Sequence, residues 1–131
     1  GCATSANRPE EIPEPVIQIR QVAPIFFGSI GTAPVSFDIL IGNAARVPLE
    51  VREIEISSFG NAQYELLRNT RRLRQTIPAR TTEAINIFTT AVNRGGRGTP
   101  SEPPSVRVIV TFETTEGERF REIVHDAAVF Q

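Results

Sequence analysis

The chain has 131 residues, of which 40% are hydrophobic and 22% charged; this suits one globular domain with a buried core and excludes a disordered polymer. No apolar run is long enough for a membrane-spanning helix, and a formal net charge of −1 argues against a nucleic-acid-binding surface spread over the whole molecule. With one Cys and one His, the chain can form neither an internal disulfide nor a structural zinc centre of its own, and nothing in its composition calls for a metal or a cofactor. All 14 cationic residues are Arg. Two readings of that bias stand: a GC-rich coding sequence, or selection for bidentate contacts to carboxylate or phosphate.

The chain contains no Met and opens GCATSANRPEEIPEP. Pro9, Pro13 and Pro15 alternate with Glu10, Glu11 and Glu14, and Ile12 is the one bulky apolar residue. Such a segment has no strand or helix period and buries too little to offset its ordering entropy. It predicts a disordered, acidic, Pro-rich tether over residues 1–15, ahead of a single folded domain over 16–131. In polyproline geometry the tether would reach roughly 40 Å from Cys2 to Pro15, at about 3.1 Å per residue.

A cysteine at the head of such a tether resembles the mature end of a bacterial lipoprotein. There the signal peptide finishes in a small-residue Gly-Cys or Ala-Cys step, and the cysteine is acylated. The resemblance implies that Gly1 closes the lipobox and that Cys2 is the lipid-attachment residue. It further implies a cleaved signal peptide and two or three fatty-acyl chains (palmitate among them) in a membrane of the cell envelope, with the domain facing the periplasm. Ala3, where an inner-membrane retention Asp would stand, points to the outer membrane in a two-membrane organism. A mature lipoprotein begins at the cysteine itself, so Gly1 departs from the pattern; the alternative is an incidental free thiol.

Beyond Pro15 the pattern alternates. Val16–Ala23 sets Ile17 and Ile19 against Gln18 and Arg20, and Val35, Phe37, Ile39 and Ile41 share one face in VSFDILIGN. In LEVREIEIS, Leu49 and Val51 point inward, then Ile54 and Ile56; the slip near Arg52-Glu53 predicts a β-bulge. Tyr64–Arg68 is a short strand, followed by Glu83–Thr90, Val106–Thr114 and Glu118–Phe130. The last segment also fits helical spacing through Phe120, Ile123, Val124 and Ala127, but TTEGE before it makes a hairpin with Gly117 at positive φ, which favours a strand. About seven strands and frequent turns predict an all-β, antiparallel sandwich of the Ig-like or fibronectin-like kind.

The stretches VSFDILIGNAARVPLEVREIEISSFGNAQ and QTIPARTTEAINIFTT resemble the water-stress and hypersensitive-response domain, the type-2 late embryogenesis abundant family. Asn43, Val47, Pro48, Leu49, Ile54, Ile56, Ile77, Pro78 and Ala79 carry the resemblance, which departs at Ala44, where the family has Pro. It implies an Ig-like sandwich without catalytic residues, of a type found in bacterial lipoproteins and linked to desiccation stress. The residues themselves give Asn43 a structural role, capping a turn at a strand exit, with Pro48 stiffening the re-entry.

Candidate chemistry is sparse. His125 and Asp126 are adjacent on a strand, so they point to opposite faces and form no dyad. Asp38, Glu50, Glu53 and Glu55 with Arg52 read as one solvated, weakly paired sheet face. Arg68, Arg71, Arg72, Arg74 and Arg80 crowd one stretch without an acidic residue. That stretch is either an anion- or partner-binding surface or an edge strand blunted by charge. The NRGGRGTPSEPP loop offers Arg94 and Arg97, and APIFFGSIG offers Phe26 and Phe27, of which one can face the core while its neighbour is left to a loop or a partner. The expectation is a non-enzymatic, lipid-anchored envelope protein that binds another protein as an accessory or assembly subunit. Arg68, Arg71, Arg72, Arg74, Arg94, Arg97, Phe26 and Phe27 are its contacts, and nucleic acid is not a partner. Two alternatives are a free-standing stress-protection domain and a carrier of an apolar ligand between the sheets.

Overall fold

Segments with an apolar residue at every second position lie down as strands and bury one face each. The computed structural model describes residues 2–27, 31–59, 64–93 and 105–127. Its strands are β1 (Cys2–Ala6), β2 (Val16–Gln21), β3 (Thr32–Gly42), β4 (Leu49–Phe59), β5 (Tyr64–Leu66), β6 (Asn69–Ile77), β7 (Thr82–Asn93), β8 (Ser105–Glu113) and β9 (Arg119–Ala127). They form two antiparallel sheets, ordered β1-β9-β8-β4-β6 and β2-β3-β7-β5, which make a β-sandwich. With β1 and β5 set aside, the three strands β2-β3-β7 face the four strands β9-β8-β4-β6.

The core is what the alternation predicts. Phe37, Ile39 and Ile41 of β3 meet Ile54 and Ile56 of β4, Ile85 and Ile87 of β7, and Val108, Val110 and Phe112 of β8, all fully or almost fully buried. Each such side chain contributes roughly 1.5–3 kcal/mol by leaving water. Phe112 stacks on Phe120 across the β8–β9 hairpin, with ring centroids 5.1 Å apart. Gly117 turns that hairpin at φ +84°, and the Thr114 hydroxyl accepts from the N–H groups of Glu116 and Glu118. The slip in β4 is present: its register shifts between Val51 and Glu53 against both β6 and β8.

The chain crosses between sheets three times at one end, through residues 7–15, 43–48 and 78–81, and Asn43 clasps the last two crossings together. Its Nδ2 donates to the carbonyls of Val47 (2.9 Å), Ile77 (3.0 Å) and Pro78 (3.3 Å), and its Oδ1 accepts from Ala45 N–H (2.9 Å). The side-chain cap expected of Asn43 is therefore present, without a left-handed backbone.

Nine strands are described where about seven were expected, and the two additions have separate causes. One corrects the disordered tether: β1 pairs with β9 from Cys2↔His125 to Ala6↔Arg121, Asn7 turns the chain at φ 64°, and Ile12 enters the core with 6% of its surface exposed. Backbone hydrogen bonds to the otherwise bare edge of β9, plus one apolar anchor, order a segment whose composition alone argues for disorder. The other addition is β6, which contains most of the Arg-rich run and forms the opposite edge of the same sheet.

Candidate partner-docking surfaces

The Arg-rich run alternates across β6 as any strand does, and the two faces have different partners. On the outer face the arginines meet a row of glutamates on β4: Arg68 lies 4.0 Å from Glu55, Arg72 3.5 Å from Glu53, and Arg74 3.5 Å from Glu50. The row continues as Arg52 pairs with Glu50 at 3.1 Å and Glu113 at 3.5 Å, and Arg119 pairs with Glu113 at 3.0 Å. Arg68, Arg72, Arg74 and Arg119 are exposed, whereas Arg52 is half-buried like the glutamates; the pairs of the four exposed arginines are each worth roughly 0–1 kcal/mol. Glu50, Glu53 and Glu55 thus share the face expected of them, but Asp38 does not. It lies on β3 in the other sheet, where Asn86 Nδ2 (3.2 Å) and Arg20 (3.1 Å) hold its carboxyl below the usual carboxylate range, the Asn86 hydrogen bond first.

The inner side of β6 carries Asn69, Arg71 and Leu73 towards β7. Arg71 Nη1 donates to the Asn86 carbonyl and Asn69 Nδ2 to the Phe88 carbonyl. Asn69, Thr70, Arg71, Asn86, Ile87 and Phe88 line a cleft of about 300 Å³ between the two edges. Phe88, 68% exposed, was not among the expected contact residues. Its signal is present in the sequence: the alternation that buries Ile85 and Ile87 leaves Asn86 and Phe88 outside.

Phe26 and Phe27 divide as neighbours must. Phe27 packs against Tyr64 with ring centroids 5.6 Å apart, and Ile25 is buried, so Phe26 between them projects outward with 81% of its surface exposed. Cys2 opens β1 opposite His125. His125 is exposed and stacks edge-on against Phe59 at 5.1 Å, while Asp126 faces the other side of β9, so the two form no dyad. Arg94 and Arg97 lie outside the described residues. Among the described residues no three His, Cys, Asp or Glu side chains converge.

One buried carboxyl stands apart from all of these. Glu122 of β9 is covered by β1 and the segment after it: it accepts a hydrogen bond from Ser5 Oγ, which in turn accepts from Arg8 Nε at 3.2 Å. Arg8 also donates to the Ile12 carbonyl. Burial raises the Glu122 carboxyl above its ordinary pKa, against the lowering effect of the Ser5 hydrogen bond, and its Oε2 has no hydrogen-bond partner. Comparison with protein-family models and with curated protein sequences finds no match.

Proposed function

We propose that the chain is a non-catalytic protein-docking domain of the cell envelope, held at a membrane by acyl chains on Cys2 and serving as an accessory or assembly subunit of a larger complex. The observation that supports docking is Phe26. Its neighbours Ile25 and Phe27 are pinned inward, so an aromatic side chain stands 81% exposed on a fixed base. Covering a large apolar side chain that stands in water gains apolar burial, which is the profile of an interface anchor. The anchor at Cys2 draws its support from the likeness of the Gly1-Cys2 step to the close of a lipobox.

The test has two readouts on the native protein. Intact mass and N-terminal peptide sequencing of material from its own membrane is expected to show a diacyl or triacyl adduct on Cys2. A photoreactive phenylalanine analogue in place of Phe26 is expected to capture a discrete protein, while the same analogue in place of exposed Thr115 captures none. An unmodified Cys2 would remove the anchor. Identical crosslinking from both positions would remove the docking reading and leave free-standing stress protection in its place.

A further inference from the structure

We propose that the open edge of β7 receives an extended, acid-bearing segment of a partner protein as an added strand. The proposal deepens the docking reading and rests on it, but uses a different surface from Phe26. In its sheet, β7 has β3 along one side from Thr82 to Val92, and on the other side only the three residues of β5, opposite Ala91, Val92 and Asn93. From Thr82 to Phe88 no described strand lies beside it on that side, a gap of roughly 20 Å at strand rise.

The polarity of the gap follows from hydrogen-bond alternation. Leu67 N–H reaches the Thr90 carbonyl, and the carbonyls of Asn86 and Phe88 point the same way, so the N–H groups of Ala84, Asn86 and Phe88 face that side too. The place of a strand is taken by two side chains of β6: Arg71 covers the Asn86 carbonyl and Asn69 the Phe88 carbonyl. Side chains are weaker occupants than a strand, because they meet two carbonyls and none of the outward N–H groups.

The acid follows from the arginine that must move. Arg68, Arg72 and Arg74 each face a glutamate of β4, whereas Arg71 is turned away from that row and rests on a backbone carbonyl. An incoming strand takes that carbonyl and releases the guanidinium beside a cleft of about 300 Å³, where a carboxylate on the strand meets it with a charge-assisted pair. Ile87 on the inner side of the cleft and exposed Phe88 on its outer side call for β-branched or other apolar side chains at the flanking positions. The occupant is thus an alternating segment with one acidic residue, bound chiefly through its backbone.

A displayed library of random dodecapeptides, selected on the purified full chain, supplies the probe. Enriched peptides are expected to carry a carboxylate within an alternating pattern, to shift the amide resonances of Ala84, Asn86 and Phe88, and to slow their hydrogen exchange. Arg71→Ala is expected to weaken them about tenfold or more, the scale of a lost hydrogen bond to a charged group. N-methylation of alternate peptide amides is expected to abolish binding with the protein unchanged. The proposal is overturned if no peptide is enriched or if the N-methylated peptides bind equally well. It is also overturned if the same three amides shift with protein concentration alone, which would assign the edge to a second copy. Peptides that map to Phe26 instead would sink it while sustaining the docking reading, and edge binding without crosslinking at position 26 would sustain it while removing Phe26 as the anchor.

Discussion

Replacing Asn43 tests whether one side chain holds the two sheet crossings together. Asn43 is 2% exposed and spends both ends of its amide on backbone groups, three carbonyls shared by Nδ2 and the Ala45 N–H met by Oδ1. Two N–H hydrogens serve the three carbonyls, so the cluster amounts to about three full hydrogen bonds at roughly 1 kcal/mol each. Asn43→Ala is therefore expected to cost about 3 kcal/mol, with the buried Ala45 N–H losing its acceptor. Asn43→Asp is the sharper probe. It preserves shape and the acceptor for Ala45, yet turns a carboxylate oxygen towards the carbonyls of Val47, Ile77 and Pro78, so at neutral pH it is expected to cost more than Ala. Those carbonyls raise the folded-state pKa of the introduced aspartate. Its penalty then appears as pH rises from the unfolded value through the folded one, and the Asp variant recovers towards or past the Ala variant in acid. Urea unfolding of the three proteins at neutral and acid pH reads these differences at constant m-value. An Ala variant within 1 kcal/mol of the parent, or an Asp variant as stable as Ala at neutral pH, would refute the clasp.

Gly117→Ala is expected to cost about 1 kcal/mol in the same urea assay, because φ +84° puts an added Cβ in the left-handed region although the surrounding space is open. Ile12→Ala is expected to lose about 2 kcal/mol and to speed hydrogen exchange at β1 while β8 keeps its protection, since Ile12 anchors the segment that follows β1. Glu122→Gln is expected to be more stable than the parent at pH 8. The raised carboxyl contributes stability below its unfolded pKa and loses it as pH rises through the folded value, so the gap closes in acid and appears in a pH series of denaturation midpoints.

The elements that were legible in the sequence are those whose cause is local. Alternation in VSFDILIG needs only the two faces of one strand, the slip at Arg52-Glu53 only a change of phase, and Gly117 only its own backbone freedom. β1 was hidden because Cys-Ala-Thr-Ser-Ala carries no apolar face; its order comes from β9, far away in sequence, and from Ile12. β6 was legible only as one of two readings of the Arg-rich run, an edge strand blunted by charge, and is that edge strand. Its outer residues are polar, its inner ones run Asn69, Arg71, half-buried Leu73 and Gln75 before the one buried residue, Ile77, and the carboxylates that hold it sit on β4. Asp38 was grouped with the glutamates because alternation reports that a residue faces outward and is silent about which of two sheets it faces outward from.

That silence bears on the arginines as docking residues. A partner carboxylate approaching Arg72 or Arg74 would replace Glu53 or Glu50 at a similar distance and in similar exposure, an exchange of one weak pair for another with little net gain. Arg71 differs because its present acceptor is a neutral carbonyl, so a carboxylate there converts a neutral contact into a charged one. Phe26 differs again: most of its surface meets water, and covering it gains apolar burial with no intramolecular pair to break. By this reasoning the affinity available on the described surface lies with Arg71 and with the exposed aromatic side chains Phe26 and Phe88, while the remaining charges serve to keep the β6 edge soluble and set its register on β4.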